Sequence, residues 1–239
     1  PRGGGATVRG RQGTGVYPVL DMFGIVGRST PALRLQVAHA VVEANSVTSA
    51  REVLELGGTE IGHKTALRLT YLACDDALRA RHLAVQKAKT GNERGEFVGL
   101  RVAVAVDGGR VNIRRRVAGR PKKGGRKRFV SEWREPKVLT VYALNDDGER
   151  DKRHRVVLDG TLGGADSVFE LLTYHLLRLG VHLAQKVVFL GDGATWIWNR
   201  TGRLREALGM DTEQFTEVLD YFHVVERLTE LAAKKSRWT

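Results

Sequence analysis

The stretch Arg101-Val102-Ala103-Val104-Ala105-Val106-Asp107-Gly108-Gly109 decides how the chain is read. It is β-rich and apolar on both faces up to Asp107, the pattern of a strand buried in the middle of a sheet. Asp107 closes that strand. Gly108-Gly109 then reads as a two-residue hairpin turn, with residues 111–117 as the return strand. Further on, residues 138–144 form a third strand, ended by Asn145-Asp146-Asp147-Gly148. Residues 166–179 read as a helix with Val168, Leu171, Leu172 and Leu176 on one face, stopped by Gly180. A fourth strand, 186–190, runs into Gly191-Asp192-Gly193. A short helix or turn bearing Trp196 and Trp198 follows. Then come a polar helix near 203–208, a strand-like run Phe215–Leu219 and a helix over about 223–234.

Three antiparallel strands that lead into a crossover helix and a parallel strand give the element order of a ribonuclease H-like fold, an α/β mixed sheet with flanking helices. In that order the first and fourth strands are parallel neighbours, so Asp107 and Asp192 meet at one edge of the sheet, where ligands of open α/β sheets bind. Asp107-Gly108-Gly109 taken alone is an ordinary turn sequence. A second Asp-Gly at the end of a second buried strand turns the reading toward a paired carboxylate site. Two like charges facing one another favour a pair of divalent cations between them, hard oxygen ligands suit Mg²⁺, and such a pair suits two-metal phosphoryl transfer.

The rest of the chain divides by composition. Residues 1–15 are Gly- and Arg-rich, a flexible lead-in, and 16–30 carry short apolar runs that suit a small β element. From Thr30, an N-cap before Pro31, the pattern is helical. One helix carries Leu33, Val37, Ala38 and Val41. A second starts near Thr48 and stops at Gly57-Gly58, and a third starts near Thr59 or Gly62 and runs to about His82. Residues 31–84 are thus a compact helical unit of helix-turn-helix character, whose last helix would present His63, Lys64 and Arg68 to a major groove. A helical hairpin with ordinary surface charges is the alternative. Residues 85–98 read as a polar linker, and 99–239 as the sheet domain.

The chain of 239 residues carries a net charge of +12, which favours polyanionic partners, nucleic acid first. Residues 101–137 hold 13 Lys or Arg against three acids. In that run Arg114, Arg115, Arg116, Arg120, Lys122, Lys123, Arg126, Lys127 and Arg128 are candidate phosphate ligands. Gly119-Arg120-Pro121-Lys122-Lys123 resembles an AT-hook core, but Ala118 stands where a hook has Arg, so a less specific phosphate-clamping loop is preferred. Trp196 and Trp198, beside a strand end, read first as core packing, with stacking on an unpaired base as the alternative, for Trp196 above all. Cys74 is the single cysteine, which excludes a disulfide framework and a cysteine-rich zinc site. No apolar run is long enough for a membrane span and no signal peptide is visible, so the expected compartment is the cytoplasm, in association with the nucleoid.

Val106-Asp107-Gly108-Gly109, then Leu190-Gly191-Asp192-Gly193-Ala194 with Trp196, then Asp220-x-x-His223 together resemble the transposases of ISKra-type insertion sequences. Those are similar in their core to the Mutator-like transposases. The resemblance spans roughly residues 16–239. It implies a DDE transposase with an RNase H-like core that cuts and joins element ends in double-stranded DNA with Mg²⁺ or Mn²⁺, often as a homo-oligomer. Asp107 and Asp192 match the first two acids, and Asp220 and His223 the DxxH motif, in a supportive role. The third acid of the family is a Glu on a later helix. The chain ends at Thr239, before that position, so the core is expected to be truncated, and Glu226 and Glu230 are not assigned to it. The competing expectation is a catalytically incomplete fragment that occupies element ends as a repressor. Another RNase H-like nuclease, such as a junction resolvase, fits less well.

Overall fold

The structure, a computed structural model, describes residues 8–9, 15–25, 28–44, 46–88, 91–119 and 128–235. The chain forms two compact units, Pro1–Ala84 and Val85–Thr239.

In the first unit, β1 (Val8–Arg9) pairs antiparallel with β2 (Gly15–Val16) and is followed by α1 (Pro18–Met22), α2 (Pro31–Glu43), α3 (Val47–Leu56) and the start of α4 (His63–Lys87). The β element expected over 16–30 is confined to Gly15–Val16. Pro18, with its fixed φ and no N–H, opens a helical turn instead. Thr30 caps α2 by accepting from the Leu33 amide at 3.2 Å, and Ser46 caps α3 by accepting from Ser49. Val37, Ala40, Ala50, Leu54 and Leu69 make the core. On α3, Val53 and Leu56 are exposed. The turn before α4 is pinned where Arg51 Nε donates to the Ile61 carbonyl at 2.8 Å.

The second unit is built on a five-stranded mixed sheet in the order β7-β6-β3-β8-β9. Its strands are β3 (Arg101–Gly108), β6 (Lys137–Leu144), β7 (Val157–Thr161), β8 (Lys186–Gly191) and β9 (Phe215–Leu219). β3 pairs antiparallel with β6, and β6 antiparallel with β7, whereas β3, β8 and β9 run parallel. Three helices accompany the sheet: α5 (Ala165–Arg178), α6 (Thr195–Leu208) and α7 (Tyr221–Lys235). α6 is one continuous helix where two short pieces were expected.

Register explains the core. Val102, Val104 and Val106 lie opposite Ala143, Val141 and Leu139, so all six point to one face. That face is covered by Val168, Leu172 and Leu176 of α5 and Ile197 and Leu204 of α6. Phe189, fully buried, lies between them, and each such side chain contributes on the order of 1.5–3 kcal/mol. No residue of α7 is buried.

Three expectations are corrected. Gly108-Gly109 is not a hairpin turn, and residues 111–117 do not return along β3. Instead β4 (Val111–Arg116) continues outward and pairs antiparallel with β5 (Phe129–Arg134). The sheet pairs run from Arg101↔Leu144 to Gly108↔Lys137, and the outer pairs from Val111↔Arg134 to Arg116↔Phe129, with no residue gained or lost. β3–β4 and β5–β6 are therefore one long hairpin whose outer half leaves the sheet as a two-stranded ribbon. At the junction Pro136 has no N–H to donate and only accepts, from the Gly109 amide at 2.9 Å, so the ladder is interrupted there. The third sheet strand is β7, an edge strand that the sequence pattern did not mark. Residues 91–98 are not a free linker. Phe97 is fully buried, and the amides of Asn92, Phe97 and Gly99 donate to the carbonyls of Leu177, Leu179 and Leu183.

The connection from β6 to β7 is held by Asp151, which is 7 % exposed. It accepts from the Arg153 amide and from Arg153 Nε and Nη2 at 2.7–3.1 Å. These bonds hold its carboxyl at about 2, below its ordinary 3.8. A depressed carboxyl stabilises the fold above its unfolded pKa, and the contribution is lost as pH falls through the folded one. Asp151→Asn is expected to lower the urea midpoint at neutral pH, and the gap from the parent to close as pH falls from about 4 toward about 2.

Candidate functional site

The site lies where three parallel strands end together. Val106 is beside Gly191, and Gly191 beside Leu219. The next residues are Asp107, Asp192 and Asp220, so three acids stand one step past the last paired position of three adjacent strands. The Asp220 amide continues the ladder by donating to the Gly191 carbonyl at 2.9 Å. Alternation sets the direction of the first two. Val106 faces the core, and a Cβ on Gly191 would lie 3.0 Å from Ile197 Cγ2, so Asp107 and Asp192 fall on the opposite face. A side chain at Gly191 would push α6 away from the strand end.

His223, in the first turn of α7, completes the group. One donor atom each from Asp107, Asp192 and His223 lies within 4.8 Å of the others. That spacing suits one divalent cation held by two carboxylate oxygens and an imidazole nitrogen. Asp107 is exposed, and Asp192 and His223 are half-buried, so the site is open to a large substrate. A cavity of about 420 Å³ adjoins it, lined by Asp192, Leu219, His223, Arg227 and Leu228 among others.

The carboxylates are fixed by the loops that follow them. Asp107 Oδ1 accepts from Gly108 at 2.7 Å, Asp192 Oδ1 from Ala194 at 2.9 Å, and Asp220 Oδ1 from Phe222 at 2.9 Å. The last contact also caps α7. Asp220 Oδ2 lies 3.2 Å from His223 Nδ1, close enough for charge attraction but not aligned as a hydrogen bond. The Phe222 amide, and after it the His223 ring, hold the Asp220 carboxyl below the usual carboxylate range despite its partial desolvation. Asp220 therefore stays outside the three-donor cluster and faces the ring of one of its members. Glu226 and Glu230 are exposed on α7, and among the described residues neither joins the cluster.

Two tryptophans support this edge. Trp198 Nε1 donates to the Asp192 carbonyl at 2.6 Å, and its ring meets Phe189 edge-on. Trp196 packs on the core with its ring against Phe169, and Lys137 Nζ lies 5.0 Å from its centroid. Lys137 is itself buried, 3.5 Å from Glu135. Indole placement marks Trp196 first as a packing residue. Packing of Trp198 is expected from the sequence, but its hydrogen bond to the Asp192 carbonyl is not, and its spacing of six from Asp192 is the only signal for it.

The remaining candidates are dispersed. His63, Lys64 and Arg68 are exposed together at the start of α4. Arg114, Arg115 and Arg116 are exposed on β4, and Arg128 adjoins the ribbon, its carbonyl accepting from Val117 at 3.2 Å. Arg115 lies 3.6 Å from Glu132, so part of its charge is already met. Arg120, Lys122, Lys123, Arg126 and Lys127 lie outside the described residues. Among the described residues no helix is long and apolar enough to cross a membrane.

Comparison with protein-family models, curated proteins and solved structures returns no match for this chain.

Trp198→Phe keeps an aromatic ring against Phe189 but leaves the Asp192 carbonyl without its donor. A loss of about 1 kcal/mol in unfolding free energy is expected from urea denaturation.

Proposed function

We propose that the chain is a DNA transposase of the DDE class, with an RNase H-like core that performs phosphoryl transfer at Asp107, Asp192 and His223. The observation that carries the reading is the meeting of Asp107 and Asp192, from strand ends 85 residues apart, with His223 beside them. The sheet order supports it: an antiparallel run β3, β6, β7 on one side, and β8 and β9 parallel to β3 on the other. The positive charge supports a nucleic-acid substrate.

The donor set fits a divalent cation. Carboxylates suit Mg²⁺ and Mn²⁺, and an imidazole tilts the set toward the softer Mn²⁺. Such an ion, when bound, supplies Lewis-acid stabilisation of charge on phosphoryl oxygens. Asp107 and Asp192 hold it between the two strand ends, and the Gly108 and Ala194 amides keep their carboxylates in place. His223 supplies the nitrogen donor, and Asp220 is a positioning residue that sets the ring. In the reaction, water attacks the phosphorus at an element end and the P–O3′ bond breaks, leaving a 5′-phosphate and a 3′-hydroxyl. That hydroxyl, losing its proton, then attacks a phosphorus of the target duplex, forming a new P–O3′ bond as the target's own 3′-oxygen leaves and is protonated. His63, Lys64 and Arg68 on α4 are assigned to recognition of element ends, within a homo-oligomer at the nucleoid. A second reading, a DNA-binding fragment that occupies element ends without cutting, is favoured by one observation: the cluster holds a histidine and no glutamate.

Two experiments test the reading. Mn²⁺-dependent nicking of a supercoiled plasmid is expected for the wild type, with Asp107→Asn and Asp192→Asn each slower by more than about 100-fold, since the ion contributes several kcal/mol. A wild-type chain that binds DNA and never nicks it would favour the second reading. Separately, Mn²⁺ titration by calorimetry is expected to show about 10- to 100-fold weaker binding for Asp220→Asn. Asparagine still caps α7, so a loss of binding without a loss of helix would mark the positioning role.

A further inference from the structure

The ribbon β4–β5 has two chemically different faces, and register assigns every residue to one of them. Directly opposed residues share a face, so Asn112 with Trp133, Arg114 with Ser131 and Arg116 with Phe129 form one. Val111 with Arg134, Ile113 with Glu132 and Arg115 with Val130 form the other. Both ion pairs lie on the second face, where Glu132 meets Arg115 at 3.6 Å and Arg134 at 3.1 Å. That face carries three aliphatic residues, and its two arginines share one carboxylate. The first face has no acid among its six paired residues, and both of its aromatic rings carry a guanidinium. The Arg110 Cζ lies 5.2 Å from the Trp133 centroid, and the Arg114 Cζ 4.8 Å from that of Phe129.

We infer that this first face is a binding site for single-stranded DNA. Trp133 is 62 % exposed and Phe129 51 %, large values for aromatic rings that could have been buried. Rings left open between arginines are the arrangement that binds unpaired bases: the ring stacks on a base and the guanidinium holds the adjoining phosphate. A duplex keeps its bases stacked on one another and offers no base faces to these rings. Phe129 and Trp133 are four residues apart on one strand, about 13 Å, the length of about four nucleotides at stacked spacing. The ribbon grows directly out of β3, with Arg110 three residues after Asp107 in sequence. The inference deepens the proposed function and rests on it for the identity of the ligand as DNA, but it is read by binding alone.

The test is fluorescence anisotropy of the full chain with labelled oligo(dT) of about a dozen nucleotides, in chelator so that nothing is cut. Trp133→Ala and Phe129→Ala are each expected to weaken binding by about 5-fold or more, and Trp133→Phe to restore most of it. Arg114→Ala is expected to cost more affinity than Arg115→Ala, which removes the same charge from the other face, and to lower the salt dependence by about one phosphate contact. Wild-type affinity in both alanine variants would overturn the inference, as would equal losses for Arg114 and Arg115. An equal loss on a duplex of the same length would overturn the single-strand assignment. Because plasmid nicking is measured separately, nicking that survives alongside failed oligo(dT) binding rejects the ribbon and not the proposed chemistry. Binding that depends on Trp133 in a chain that never nicks does the reverse.

Discussion

Parallel pairing of β3, β8 and β9 in one register is the constraint on which the site depends. It sets Val106, Gly191 and Leu219 side by side, so the first residue past each strand stands at the same level. Backbone hydrogen bonds thus do most of the positioning, and side chains have little to add. A slip of one residue in any strand would turn its acid toward α6 and into the core. The core guards against such a slip because Val102, Val104, Val187 and Phe189 would all be turned out of it with the acid. Packing on one face of the sheet therefore fixes chemistry on the other.

The same constraint creates an electrostatic conflict. Asp107 and Asp192 present oxygen donors to one space, and like charges at that range oppose each other. Each is partly stabilised by the backbone amide that follows it, but those amides use Oδ1 and leave charge facing charge. On the proposed reading a divalent cation would resolve the conflict, with Asp107, Asp192 and the imidazole of His223 as its protein donors. Asp220 is placed so that it does not add a third like charge to the same space. It turns instead to the cap of α7 and to the His223 ring.

Much of this was legible in the sequence because it depends on local pattern. The buried run before Asp107 and the strands that end near Asp192 and Leu219 all read correctly, as did the helix stopped by Gly180. So did the Thr30 cap. What was illegible depends on partners far away in the chain. Residues 111–116 have the composition of a strand, but nothing local says whether that strand pairs with β3 or with 129–134. Pro136, 28 residues after Gly108, decides it by interrupting the ladder on the far side. β7 escaped notice because Leu158 is exposed and Asp159-Gly160 breaks the apolar run. The segment 91–98 looks polar, and only its packing on the end of α5 reveals why Phe97 is there. His223 was legible as a motif residue, whereas its place within reach of both acids needed the turn of α7 after β9.

One register joins the sheet to the ribbon, and this links the two faces of the ribbon to the two faces of the sheet. The pairing Gly108↔Lys137 lies on the side where Trp196 and the α6 core are found, and Asp107↔Val138 on the other. Along an untwisted ladder, even-numbered positions of β3 and β4 would share a face, so Arg114 and Arg116 would align with Gly108 and Arg115 with Asp107. Antiparallel ribbons twist, and a free two-stranded ribbon twists more than a sheet. That twist, roughly 20 to 25° or more between paired strands, reorients the ribbon gradually and does not bring its aromatic face round to the carboxylate side at the single step of Gly109 and Pro136. Pro136 removes one hydrogen bond at that step, and the Gly109 amide keeps the other. The junction that the sequence presents as a turn is thus the step at which one register passes from the sheet to the ribbon.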